Sequence, residues 1–290
     1  MLIMDLKKWC FVLFVSGIFN AQAEPLVWKA SKGPQTFYII GTVHLGNASM
    51  YPLPQVLIDN LMSSDAVIIE ADLTESVTMP TATNHQPIKS SLDSKEFAQL
   101  KKIATHSGMN VETVAALAPW QVALILQNHQ FQSLGFHSDY GVDSTIVKLA
   151  MKHDIPIHGL ESLQFQIDLL SKQEDDGVNM LKQTLTEWDE SGQNVECLIE
   201  SWKMGDIQNL NQLLDEASKD AKFEQDFIVN RNYDWVEKLN SDPVFSSGTF
   251  TVAVGTLHLV GQTSLLQLLT KENFNTQLIT TPNKANCTTL

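Results

Sequence analysis

Cysteine is scarce in this chain, with three in 290 residues. Cys10 lies inside an N-terminal apolar run and lacks a lipobox context, which excludes a lipoprotein reading. Cys197 and Cys287 have no histidine or base placed beside them by a local motif, which excludes a recognisable thiol nucleophile. Basic residues are also few: 19 Lys and Arg stand against 33 Asp and Glu, a formal net charge of −14. Such an acidic surface argues against nucleic acid and anionic membrane surfaces as partners. Past the N-terminal segment no run is long and apolar enough to span a bilayer, which needs about 20 residues. No tandem period exists, so a solenoid is excluded.

The N-terminus is patterned. Lys7 and Lys8 precede an apolar stretch from Trp9 to Phe19, and Asn20-Ala21-Gln22-Ala23 supplies a small-x-small cleavage pattern. This order predicts a Sec-type signal peptide over residues 1–23, cut between Ala23 and Glu24, and hence a periplasmic or secreted protein. The competing reading is a single membrane anchor, for which the stretch is about half the length required. Removing residues 1–23 leaves 267 of the 290, enough to bury a full core, and takes the charge to −15 with the loss of Lys7, Lys8 and Asp5. In an oxidising compartment Cys197 and Cys287 can pair; two buried thiols are the alternative.

Four short runs rich in Ile, Val and Phe read as buried strands: Phe37–Ile40, Ala66–Ile69, Ile155–Ile157 and Phe250–Val254. Leu26–Lys29 and Gln277–Thr280 read as edge strands. Helical spacing marks Pro54–Met62, Ser94–His106 behind Asp93 or Ser94 as cap, Val111–Gln130 broken at Pro119, and Ser144–His153 with Asp143 as cap, a role compatible with a place near a cation. It continues over Leu163–Leu170, Val178–Trp188, Val195–Lys203, Asp206–Glu216 and Phe223–Leu239. Thr74–Ser91 has no period and reads as a loop. The pattern predicts one α/β domain over residues 24–290: a largely parallel or mixed sheet from two related halves, with a helical insert over roughly 163–240.

The halves are joined by an internal echo. Gly41-Thr42-Val43-His44-Leu45 follows the first strand, and Gly255-Thr256-Leu257-His258-Leu259 follows the last. Glu70 ends the second strand and Glu161 comes just past the third. Carboxyl ends of parallel strands share one sheet edge, where open α/β sheets bind ligands. His44, His258, Glu70 and Glu161 therefore form a candidate set of two nitrogen and two oxygen donors, suited to Zn, Mn, Co or Fe. His158 reads as structural, and His85, His106, His129, His137 and His153 lack partners. Arg231, between Asn230 and Asn232, reads from the residues alone as a surface arginine, with steadying of a carboxylate or oxyanion as the functional alternative.

The paired Gly-x-x-His motifs resemble those of the TraB/PrgY/GumN family. Tyr51-Pro52-Leu53-Pro54, Ile69-Glu70-Ala71-Asp72, Pro119-Trp120, Gly141-Val142-Asp143, Gly159-Leu160-Glu161-Ser162 with Gln164 or Gln166, and Arg231-Asn232 match it in order, from Phe37 to Gly261. The family is similar to the TIKI metal-dependent proteases, and more distantly to erythromycin esterases and the ChaN haem-binding lipoproteins. This resemblance implies that His44, Glu70, Glu161, Arg231 and His258 are site residues, and it reverses the residue-only reading of Arg231. It implies a metal-dependent hydrolase of a peptide or a small ester or amide, with Glu70 or Glu161 as general base and Arg231 on the oxyanion. The chain departs from some relatives in having no obvious C-terminal membrane segment. Rival expectations are a non-catalytic haem-, metal- or peptide-binding protein, and an accessory factor in exopolysaccharide production.

Overall fold

The computed structural model describes residues 23–72, 74–80, 88–217 and 221–287. The leader pattern up to Gln22 and His85 lie outside the described residues. β1 (Val27–Lys32) and β2 (Gln35–Thr42) form a hairpin, followed by β3 (Ala66–Ala71), β4 (Ile157–Glu161), β5 (Gly248–Gly255) and β6 (Asn275–Leu278). They build one sheet in the order β4-β3-β5-β2-β1-β6. β4, β3, β5 and β2 run parallel, and β1 is antiparallel to both β2 and β6. The expected α/β class, with a mixed and largely parallel sheet, is what forms.

The central strands are apolar on both faces because both faces are covered. Phe37, Ile39, Ile68, Phe250 and Val252 point to one side, while Ile40, Val67, Ile69 and Ala253 point to the other. The helices are, in chain order, α1 (Gln55–Met62), α2 (Ile88–Ser91), α3 (Ser94–His106), α4 (Val111–Ala115), α5 (Pro119–Ser133), α6 (Val142–Lys152) and α7 (Leu163–Ser171). They continue as α8 (Val178–Thr186), α9 (Trp188–Met204), α10 (Ile207–Ala217), α11 (Ala221–Glu224), α12 (Asn230–Ser241) and α13 (Leu265–Lys271). Trp235 and Leu239 of α12 and Leu265 and Leu269 of α13 cover the first face; Leu57, Ile146 and Trp202 of α1, α6 and α9 cover the second. Each such side chain contributes about 1.5–3 kcal/mol on burial.

Several local expectations shift. The third strand is Ile157–Glu161 rather than Ile155–Ile157, because β4 pairs with β3 from Val67↔Ile157 to Ala71↔Glu161. Glu161 is thus the last residue of an edge strand and not past it. Helix α3 starts as expected: Asp93 accepts from the backbone of Lys95 and Glu96, and Glu96 bonds back to Asp93. The expected loop over Thr74–Ser91 closes with the short α2. The helical layer also draws on both sides of β4. Leu100, Ile103, Val122, Leu126, Leu181 and Leu185 of α3, α5 and α8 form a core of their own, apart from the sheet. Their apolar stripes cover one another, so that helical body is not confined to residues 163–240.

Cys197 of α9 and Cys287 form a disulfide, with Cα atoms 5.6 Å apart across 90 residues of chain. The tail is held beside it by Asn283 N–H on the Met204 carbonyl at 2.7 Å and Ala285 N–H on Asp206 at 2.9 Å. Reducing the bond, or replacing both cysteines by Ala, is expected to destabilise the fold by about 2–4 kcal/mol, read from urea unfolding with and without reductant. Coincident unfolding curves would contradict this.

Candidate active site

The two Gly-Thr turns meet because β2 and β5 are adjacent and parallel, with Gly41 opposite Val254 and Thr42 opposite Gly255. Gly41 must be glycine: a Cβ there would stand 2.6 Å from Thr256 Oγ1 and 2.8 Å from its Cα. Trp202 of α9 fixes the same turn, donating its indole N–H to the Gly41 carbonyl at 2.8 Å. Gly255 donates its N–H to Glu70 at 2.6 Å, an approach that the absence of a side chain permits.

At the centre stands Arg231, in the first turn of α12 and only 8 % exposed, so the surface-arginine reading fails. All five of its N–H groups are used. Nη2 donates to Glu70 at 2.6 Å and to Glu161 at 2.7 Å. Nε donates to both Glu161 oxygens at 3.2 Å. Nη1 donates to the Phe227 carbonyl at 3.0 Å and to Nε2 of His258 at 3.1 Å. Phe227 lies in a π-helical turn, Gln225–Val229, where a single unbroken helix was expected. The guanidinium also lies 4.6 Å over the Trp235 ring, whose N–H donates to Glu161 at 2.9 Å. Gln166 of α7 bridges the carboxylates, donating to Glu161 at 2.8 Å and to Glu70 at 3.2 Å.

His258 is buried, and its Nδ1 faces Asn232 Oδ1 at 2.7 Å. The Asn232 amide is oriented by its donation to the Thr263 carbonyl at 2.9 Å. Nδ1 therefore carries the proton, and Nε2 offers its lone pair to Arg231. Burial, aided by the Arg231 charge and opposed by Glu70, lowers His258 to about 3. Burial works to raise Glu70, but the Arg231 charge, both imidazoles and the Gly255 N–H outweigh it and hold the carboxyl at about 2.

His44 occupies the matching turn under different conditions. Its side chain is 70 % exposed, and its Nδ1 lies 3.1 Å from Asp143. That hydrogen bond, with the charges of Asp143 and Glu70, lifts the imidazole to about 9, and the exposed ring leaves the pair open to screening by solvent. Asp143 was expected to cap its helix. The cap position is instead Gly141, and Asp143 sits in the first turn of α6 with its carboxylate turned to His44. Val142 N–H on the Val43 carbonyl and the Tyr51 hydroxyl on the Tyr140 carbonyl, at 3.0 and 2.8 Å, lace this helix start to the turn. Asp143 Oδ1 is buried with no hydrogen-bond partner among the described residues. A cavity of about 30 Å³, lined by His44, Glu70, Asp143, Gln166, Thr42 and Val147, opens beside it. This is room for about one water or small ion.

The pattern of the TraB/PrgY/gumN family matches residues 26–277. The chain belongs to this family. It is similar to the YbaP proteins of Escherichia coli (strain K12) and Shigella flexneri, each 30% identical over 270 residues that cover 92% of this chain and all of the relative. No solved structure matches it.

In this TraB/PrgY/gumN protein, Glu70, Glu161, Arg231 and His258 converge, and His44 stands across Glu70 beside Asp143. Among the described residues, no three His, Cys, Asp or Glu side chains form a group that could hold a metal ion as they stand. Sequence reasoning gave no role to Trp235 and none beyond a motif match to Gln166, Asn232 and Tyr51; it also missed the pairing of Asp143 with His44. Only the matches at Tyr51, Gly141–Asp143, Gln166 and Asn232 could have flagged them.

Two outcomes follow. Replacing Arg231 by Met leaves two buried carboxylates without their cation, and a loss of about 3–5 kcal/mol is expected in urea unfolding. Glu70 and His258 both have folded values below their unfolded ones, so each contributes stability that disappears as pH falls: His258 between about 6.5 and 3, Glu70 between about 4.5 and 2. The Tm of metal-free protein should therefore fall below pH ~6.5, with the upper part of that slope reduced in His258→Asn. A Tm that stays level from neutrality to the Glu70 range would refute the assignment.

Proposed function

We propose that the chain is an exported, metal-dependent hydrolase of carbonyl substrates: a peptide, or a small ester or amide. The observation carrying this reading is the Asp143–His44 pair, with the largely exposed imidazole sharing a small polar cavity with the Glu70 carboxylate. A carboxylate behind an imidazole is the arrangement that orients a metal-binding or proton-transferring histidine. Export is supported by the Lys7-to-Ala23 pattern and by the Cys197–Cys287 disulfide, a bond favoured in oxidising compartments.

The fit of a divalent ion is a question of donors. The His258 Nε2 lone pair is taken by Arg231, and both oxygens of Glu161 accept at least two bonds each from Arg231, Gln166 and Trp235, whereas Glu70 Oε1 accepts the Gly255 N–H alone among the described residues and keeps a lone pair. The orphaned Asp143 Oδ1, on the cavity shared with His44 and Glu70, is an acceptor suited to a cation. His44, through Nε2, and Glu70 would be the donors to Mn, Co, Zn or Fe, with Asp143 orienting the imidazole from behind, while Glu161 and His258 act through Arg231 to build the wall behind them. Bound there, such an ion supplies an activated water near neutral pH and polarises a carbonyl.

The chain's own residues do the rest. Asp143 fixes the His44 ring through Nδ1. Arg231 and the Gly255 N–H keep Glu70 ionised and aimed; at so low a pKa it is a weak base, which favours a ligand's role over proton abstraction. Arg231 has no N–H to spare for an oxyanion in this arrangement and acts as a positioning residue. The exposed side of His44 is where substrate enters.

His44→Ala should abolish Mn-, Co- or Zn-restored cleavage of a peptide and ester library and weaken metal binding measured by calorimetry. The fold should remain intact, with a loss of about 1–2 kcal/mol because Asp143 loses its hydrogen-bond partner. Cleavage at the wild-type rate by this variant would falsify the proposal.

A further inference from the structure

We propose that the Cys197–Cys287 disulfide is a redox latch on the candidate site, acting through the α9–α10 helix pair and opened by a dithiol reductant; reading this as control of activity rests on the hydrolase reading above. Each helix of the pair holds one of the two Gly-Thr-x-His turns. From α9, Trp202 donates its indole N–H to the Gly41 carbonyl at 2.8 Å, and Trp202 and Ile199 share a core with Ile40 and Ala253 of β2 and β5. From α10, Asn211 accepts the Gly261 N–H at 2.9 Å, and Leu210 and Leu214 pack with Leu257 and Val260 on either side of His258. Both imidazoles therefore ride on turns fixed from one pair of helices.

The tail closes the corner where these helices meet. Cys287 is bonded to Cys197 of α9, and its carbonyl accepts from the Asn209 amide of α10 at 3.1 Å. Asp206 is buried at that corner. Its Oδ1 accepts the Gln208 and Asn209 N–H groups that open α10, at 3.1 and 3.2 Å, and its Oδ2 accepts the Ala285 N–H at 2.9 Å. Asn283 N–H reaches the Met204 carbonyl, two residues past Trp202, at 2.7 Å. Residues 281–284 are exposed, so these tail contacts bury little and depend on the covalent tie beyond them. A chain end released from such a tie is the first part of a fold to open.

Cys197 is buried and Cys287 is partly exposed, so an incoming thiolate attacks the Cys287 sulfur. A mixed disulfide forms there, and Cys197 leaves as a thiolate that takes a proton from solvent. The second thiol of the reductant then attacks the reductant's own sulfur in the mixed disulfide and releases Cys287. The reductant ends as a disulfide, and the protein gains two electrons and two protons. With the corner open, the hold of Trp202 and Asn211 on their turns weakens. His44 then loses its fixed position against Glu70, which is tied to the second turn through the Gly255 N–H.

The test uses the full mature chain. Hydrogen–deuterium exchange is followed in peptides spanning residues 41–46 and 255–261, before and after dithiothreitol, at a temperature where circular dichroism shows both forms folded. Reduction is expected to speed exchange in both turns by about tenfold, while the helical body of α3, α5 and α8 keeps its protection. Trp202→Phe, which removes the indole donor and keeps an aromatic ring, should loosen the first turn and spare the second; Asn211→Ala should do the reverse. Cys197→Ser with Cys287→Ser, studied without a metal-chelating reductant, should bind Mn about tenfold more weakly than the oxidised chain in calorimetry. Exchange in the reduced wild type decides the matter if that double variant folds poorly. Unchanged exchange in both turns, a rise spread equally over the helical body, or full Mn affinity in a folded double variant would each overturn the latch. If oxidised protein binds no Mn while reduction still loosens both turns, the latch stands and the hydrolase reading falls.

Discussion

One guanidinium between two carboxylates and an imidazole lone pair organises the sheet edge. Glu70 and Glu161, on neighbouring parallel strands, are buried charges of the same sign and need a shared cation. Arg231 supplies it, and its planar fork allows only one arrangement of donors. From that follow the burial of the polar first turn of α12, the placing of Trp235 against Glu161, and the choice of the Nδ1-protonated form of His258. The Lys238 ammonium on the Gly159 carbonyl, two turns on at 2.9 Å, fastens α12 to the edge strand. That contact extends the same constraint along the helix.

The pseudo-symmetric turns show how little a local motif determines by itself. Both are Gly-Thr-x-His, and both follow parallel strands that lie side by side. His258 meets an amide and a guanidinium in a buried setting, so it is held neutral. His44 meets a carboxylate near solvent, so its proton is held. Two copies of one pattern thus yield groups of opposite electrostatic character, and the partners that decide it lie 26 and 99 residues away.

What the sequence made legible was the part with short-range signatures. The β2, β3 and β5 cores stand out as apolar runs, Pro119 breaks the helix where it must, and Asp93 announces α3 with Glu96 behind it. Gly41 and Gly255 mark the turns, and Glu70 is conspicuous after four apolar residues. The remainder depends on contacts with no local trace. Arg231 sits on a polar stretch that reads as surface, because its partners Glu70 and Glu161 are 161 and 70 residues distant. Asp143 reads as a cap, since nothing nearby reveals that Gly141 takes that position. Glu161 reads as past its strand, because Gly159 and His158 mask an edge strand whose extent is set by pairing with β3.

The packing of Gly41 on Thr256 has a consequence for how this chain can change over time. The residues belong to opposite halves of the sequence, yet they compete for the same few ångströms. Bulk gained on one side must be surrendered on the other, so drift in the first turn is bound to drift in the second. If the halves arose by duplication, they are no longer free to diverge independently at this seam.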